Sequence, residues 1–547
     1  MKRTFSLGRQ GWALVFLLAA VAALAAWPTW AADGGKVSVD TPLGPVVGFT
    51  AGRVQVFLGL PFAEPPVGEL RFAPPKDAKS WTEPREAFRP GPMAWQVPMA
   101  MFQASVAPDK AFPGYSEDCL NLNVWAPVGT KAGDKLPVYV FVHGGGYGMG
   151  SGSQDLYDGT NLAKEGIVVV TFNYRLGALG YFSSQETLRQ YGTTGNWGTL
   201  DQIKALEWVR DNIAAFGGDP AKVTVGGESA GSFSVSALIL SPKAKGLFRG
   251  AIMESGTILA LPTFLLTRGK LDLALNLNAI MGSVFQATDD AEGLAKLRAV
   301  DPGLLARLTP FGFDFTKPSF FGLAPVKDGS VLPLDPEKAL AEGQGQKVKV
   351  LMGFNHDEGS LFVPTGSDDQ VYLDTVDFIL GLDGAKAFWE RFPIDKDHSA
   401  VERTREALGY AFMSSNMKRF ADLHSRFDDV YFYNFNYVTL ASGKLGLGAS
   451  HASELPFVFG LDIPLVTSSK AEKTLSDDMR LRWINFIKNG DPNEGAAAPS
   501  KVTWPKYDPA SPRIIAFDKT VTAGPLPDTD NLDFVANILY GPLPLKP

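Results

Sequence analysis

Residues 223–241, VTVGGESAGSFSVSALILS, constrain this chain more than any other stretch. A β-branched run leads into Gly227-Glu228-Ser229-Ala230-Gly231, and a small, apolar, helix-forming segment follows. So short a handover from strand to helix needs small residues on both sides of the turn, and it lifts the serine between them out of the backbone. A serine hydroxyl is a weak nucleophile until backbone geometry projects it and a base takes its proton. Ser229 is the only serine with glycine at both the −2 and +2 positions, but with 57 glycines in the chain the pentapeptide alone is a weak signal. Its weight depends on whether the other parts of such a site are present.

The surrounding pattern supplies the scaffold. Residues 138–143, 167–173, 223–226 and 251–254 are short apolar runs closed by turn signals, which read as buried parallel strands. Residues 200–216 place Ile203, Leu206, Val209, Ile213 and Phe216 near helical spacing and stop at Gly217-Gly218-Asp219-Pro220. Alternation of this kind predicts an α/β layered fold on a mainly parallel sheet. Residues 37–57 predict an antiparallel hairpin at the sheet edge. Residues 260–345 are helical and loop-rich, a pattern expected of an insertion that caps a site. Strand signals resume at 348–353 and 430–437, and 474–488 reads as a final amphipathic helix.

Composition narrows the partners. With 45% hydrophobic and 20% charged residues the chain can bury a large core. Lys2, Arg3 and Arg9 precede an apolar run from Trp12 to Trp27 that closes at Ala31 and Ala32, the layout of a secretory signal peptide over residues 1–32. The expectation is a secreted or periplasmic protein with no stable membrane span after cleavage. Formal net charge is −7, and loss of that basic segment makes the remainder more acidic, so no nucleic-acid partner is expected. A single cysteine, Cys119, leaves no intramolecular disulfide.

An activated serine needs a base, and there are five histidines. His143 opens His143-Gly144-Gly145-Gly146-Tyr147 directly after a strand, the pattern of a loop that supplies an oxyanion-hole amide. His398 and His424 sit among charged residues and read as solvated surface groups. His356, flanked by acids, is conceivable as the base. His451 is the better choice, because it follows what reads as the last sheet strand in a Gly/Ser loop able to reach back over the sheet's carboxyl edge. Either Asp357 or Glu358 can serve as the orienting carboxylate, since both follow the 348–353 strand and lie between serine and histidine in the chain.

The segments FLGLPFAEPPVGELRF, SEDCLNLNVWAP, VFVHGGGYGMGSG, NYRLGALGYF, GGESAGSFSV, GFNHDEGSLF and ASHASELPFVFG together resemble, in order, the type B carboxylesterase and cholinesterase family of α/β-hydrolases, over about residues 39–507. The resemblance implies an α/β-hydrolase catalytic domain over 33–547, an insertion near 260–345, and hydrolysis of a small-molecule ester without metal or cofactor. Carried over position by position, it places the nucleophile at Ser229, the acid at Glu358 and the base at His451. It puts oxyanion-hole amides at Gly145, Gly146 and Ala230, and polar supporting residues at Glu228 and Ser255. Arg71 with Glu117, and Arg175 with Asp201, match the family's structural ion pairs. Cys119 lacks the upstream partner that animal members carry. Asp109-Lys110-Ala111-Phe112 and Leu361-Phe362 stand where cholinesterases carry aromatic residues, so a choline ester is disfavoured. An amide, carbamate or specialised ester is the nearer alternative, and a non-catalytic adhesion-type relative the remote one.

Overall fold

The computed structural model describes residues 35–97, 113–260, 284–307, 324–363 and 367–544. The proposed signal segment, residues 98–112 and the phenylalanines at 264, 311, 313, 315, 320 and 321 lie outside them. The described strands are β1 (Lys36–Thr41), β2 (Gly44–Ala51), β3 (Val54–Pro61), β4 (Arg85–Glu86), β5 (Met93–Ala94), β6 (Tyr115–Ser116), β7 (Asn121–Pro127), β8 (Leu136–Val142), β9 (Val168–Phe172), β10 (Gly218–Glu228), β11 (Gly250–Glu254), β12 (Lys349–Asn355), β13 (Val430–Phe435), β14 (Arg513–Phe517) and β15 (Thr522–Pro525). Twelve of them form one sheet in the order β1-β2-β3-β7-β9-β8-β10-β11-β12-β13-β14-β15, with β4 beside β2. From β9 to β14 every pairing is parallel, while the strands outside that run pair antiparallel along the path.

The parallel strands are apolar at nearly every position because helices cover both faces. Val138, Val140 and Val142 of β8 belong to one core with Ile203, Leu206 and Val209 of α1 (Trp197–Asn212) and Val235 and Leu238 of α2 (Ala230–Leu240). Tyr139 and Phe141 point the other way, into a second core with Met479, Trp483 and Ile487 of α3 (Lys470–Asn489). Side chains alternate across a strand with a period of two, so one apolar run feeds both cores.

The four buried strands expected from the sequence are present and parallel. The predicted edge hairpin is β1 to β3, which continues through β7 into the main sheet. Among the described residues of 260–345 there are helices and no strand. Two expectations need correction. β13 is not the last strand, since β14 and β15 extend the sheet beyond it, and α3 is followed by a further helix, α4 (Thr529–Tyr540). Pro505, Pro509 and Pro512 around RIIAF mask that strand signal, and β14 borders the parallel run as one short strand.

Candidate active site

Because β8, β10, β11, β12 and β13 run parallel, the residues after each strand gather at one edge. Ser229 follows β10 directly and has φ 57° and ψ −127°, a conformation a non-glycine residue avoids. Such strain costs on the order of 1–3 kcal/mol and persists only where neighbours enforce it. They do so through backbone: the Ser229 N–H donates to the Glu254 carbonyl (2.9 Å), and the Phe233 N–H donates to the Ser229 carbonyl (2.9 Å). The flanking glycines are sterically required. A Cβ on Gly227 would lie 2.6 Å from the Gly231 carbonyl oxygen, and one on Gly231 would lie 2.0 Å from that of Val142.

Glu358 and His451, 93 residues apart, meet here: His451 Nδ1 lies 2.6 Å from Glu358 Oε2. The other oxygen, Oε1, accepts from the Asn355 N–H at 2.8 Å. Geometry thus separates the two carboxylates that spacing left open. Asp357 faces away, half-exposed, where its Oδ2 accepts from the Ala449 N–H (2.8 Å) and its Oδ1 pairs with the exposed His356 (3.1 Å). Asp357 therefore pins the loop that carries His451, and His356 stands apart from the site. The Phe362 ring packs on His451 with centroids 5.0 Å apart.

His451 Nε2 lies 3.1 Å from Glu228 Oε1, without hydrogen-bond geometry. Nε2 makes no hydrogen bond to the Ser229 hydroxyl either. Burial pushes the imidazole down, but the carboxylates of Glu228 and then Glu358 outweigh it and hold the group up at about 9. Glu228 is itself raised to about 8, first by burial, with His451 opposing and Glu454 and Glu358 adding. Both groups are therefore biased toward their protonated forms near neutrality.

The glycine loop after β8 has three successive residues at positive φ: Gly145 (109°), Gly146 (57°) and Tyr147 (60°). It is clamped by the Gly148 and Met149 N–H groups, both donating to the Gly145 carbonyl, and by the Gly177 N–H donating to that of Tyr147. The N–H groups of Gly145, Gly146 and Ala230 donate to no acceptor among the described residues. A Cβ built on Gly144 would lie 3.1 Å from the Ser229 Cβ, so this loop borders the serine directly. His143 has a structural place: it stacks on Tyr174 (4.4 Å), and burial lowers it to about 4 despite its contact with the Gly144 carbonyl.

Ser255 sits at φ 58° just after β11, buried, its hydroxyl without a partner among the described residues. Both expected ion pairs form, Arg71 with Glu117 and Arg175 with Asp201, each through two nitrogens. Cys119 is buried, and burial pushes its thiol far above the ordinary range. The surface reading of His424 is corrected. It is 2% exposed, and its Nε2 lies 2.7 Å from the Val348 carbonyl, because the helix Ser415–His424 is buried along its whole length. Sequence reasoning missed Asn355, Glu254, Glu454 and Trp483. Glu454 lies one helical turn beyond His451, the one signal that pointed to it.

A strained serine at the end of a central strand, a mostly parallel sheet and helices on both faces define an α/β-hydrolase. The chain belongs to the carboxylesterase family, whose model matches residues 35–535. It is 36% identical to the para-nitrobenzyl esterase of Bacillus subtilis, covering 90% of this chain and 97% of that one. It is 33% identical to the fumonisin B1 esterase of Sphingopyxis macrogoltabida (95% and 93%). Among solved structures it resembles a carboxylesterase of Geobacillus stearothermophilus, with TM-score 0.77, 31% identity, and 91% and 99% of the two chains covered. The protein is accordingly a carboxylic ester hydrolase acting on small-molecule esters. No helix among the described residues is long and apolar enough to cross a membrane.

Proposed function

We propose that this protein is a serine carboxylesterase working through Ser229, His451 and Glu358 and an acyl-enzyme intermediate. The observation that carries the reading is the 2.6 Å contact between the buried His451 and Glu358 at the same sheet edge as the strained Ser229. Glu358 orients the imidazole through Nδ1 and leaves Nε2 as the working nitrogen. Nε2 takes the Ser229 proton as Oγ attacks the acyl carbon, and the Gly145, Gly146 and Ala230 N–H groups receive the tetrahedral oxyanion. His451 then gives the proton to the departing alcohol, and water, activated the same way, releases the acid and restores Ser229. Glu228 faces the same nitrogen, so Nε2 must exchange that neighbour for the serine hydroxyl as substrate enters. Ser229→Ala should lower ester turnover by about four to six orders of magnitude. Turnover near wild type in the folded variant refutes the assignment.

We further propose that residues 1–32 direct export and are removed. N-terminal sequencing of protein secreted by a bacterial host should begin at Ala32 or Asp33, and an intact Met1 in that fraction contradicts export with cleavage.

A further inference from the structure

We propose that Asn355 is a positioning residue of this site, joining the acid, the backbone entering the base and the buried carboxylate of Glu454 into one rigid unit. Asn355 ends β12 and is fully buried. Its backbone N–H donates to Glu358 Oε1 at 2.8 Å. Its side-chain Nδ2 donates to the carbonyl of Ser450, the residue before His451, at 2.8 Å, and also to Glu454 Oε2. One residue thereby holds both sides of the His451–Glu358 contact, and its amide nitrogen must face these two acceptors because neither could accept from the amide oxygen. Asp357 clamps the same two segments through Ala449, but from the solvent side.

The Glu454 bond reaches further than position. Burial pushes Glu454 up to about 7, the charge of Glu358 adds to this, and the Asn355 N–H opposes it. Asn355 therefore favours the carboxylate form, and a charged Glu454 favours the imidazolium of His451. The other ionisable groups facing this cluster are Glu228 from the end of β10, Glu254 from the end of β11, Glu358 after β12, Tyr433 of β13 and Tyr157. Glu254 is anchored on Trp483 Nε1 at 2.5 Å and is held well above the carboxylate range, first by burial and then by Glu454. Removing the Asn355 amide leaves Glu454 easier to protonate, so His451 loses a negative neighbour and deprotonates at lower pH.

This inference rests on His451 being the base, and the test separates the two claims. The acid limb of kcat/KM for a p-nitrophenyl ester is followed against pH for the full chain, Asn355→Leu, Glu454→Gln and the double variant, with Ser229→Ala alongside. Asn355→Leu should move the limb to lower pH by about one unit and lower kcat about tenfold, with KM nearly unchanged. Glu454→Gln, which keeps an acceptor for Asn355, should move the limb in the same direction. The double variant should move it no further than Glu454→Gln alone, because both act through one carboxylate. A folded Asn355→Leu or Glu454→Gln with the wild-type profile overturns the proposal while Ser229→Ala is inactive. Should Ser229→Ala retain activity, the reading of the site itself has failed. If Asn355→Leu does not fold, the Glu454→Gln profile decides alone.

Discussion

His451 shows how much of a residue's chemistry comes from its neighbours. Sequence alone could treat it only as a histidine that must be neutral to act, with a rise in activity near pH 7. Its buried carboxylate neighbours instead hold it up at about 9, so kcat/KM should climb on the alkaline side of neutrality. The sign follows from charge: a negative neighbour favours the imidazolium, and removing one favours the neutral imidazole. Glu228→Gln should therefore move the acid limb to lower pH by about one unit or more. A limb that stays put or moves up would show that Glu228 does not load His451 with its proton. Glu228 was legible from the motif, but its contact with Nε2 was not, because spacing carries no side-chain direction.

At the scale of elements, the handover from β10 to α2 was the most legible feature, since glycine at two fixed offsets has a direct steric meaning. The structure gives that meaning a number: the Cβ of Gly231→Ala would fall 2.0 Å from one backbone oxygen and 2.9 Å from a backbone carbon, both of Val142. Backbone cannot yield as a flexible side chain can. Gly231→Ala should cost about 1–3 kcal/mol in denaturant unfolding and, by displacing Ser229, about a hundredfold in kcat/KM. Gly524→Ala, where nothing lies within 4 Å, should stay within about 0.5 kcal/mol of wild type. Equal stability for the two variants would remove the steric account of the elbow. By contrast β7, β14 and β15 were not read from the sequence. NLNVWAP mixes polar with apolar residues, and Asn121 and Asn123 are buried through side-chain bonds to backbone carbonyls that no local pattern reveals.

Over the whole molecule, the parallel order of β8 to β13 turns five distant segments into one site. That the strands are parallel was inferable, because both faces of the sheet are covered and the central strands are apolar throughout, but their order was not. The choice between Asp357 and Glu358 was settled at this stage by resemblance. The physical reason appears only in three dimensions: Asp357 is spent on Ala449 and His356, leaving Glu358 to face His451. Of the residues behind the site, Asn355, Glu254 and Trp483 were illegible because each depends on a partner from another element, and Glu454 offered only its spacing from His451. The central claim is that Ser229 is the nucleophile those elements assemble. Incubating the full chain with p-nitrophenyl diethyl phosphate and mapping its peptides by mass tests this most directly, since attack by Oγ expels p-nitrophenoxide and leaves a stable diethyl phosphoryl ester. The account predicts one adduct, on the peptide containing Ser229, accumulating in step with loss of esterase activity. Complete inactivation with the adduct on another residue, or undiminished turnover by protein labelled at Ser229, would contradict it.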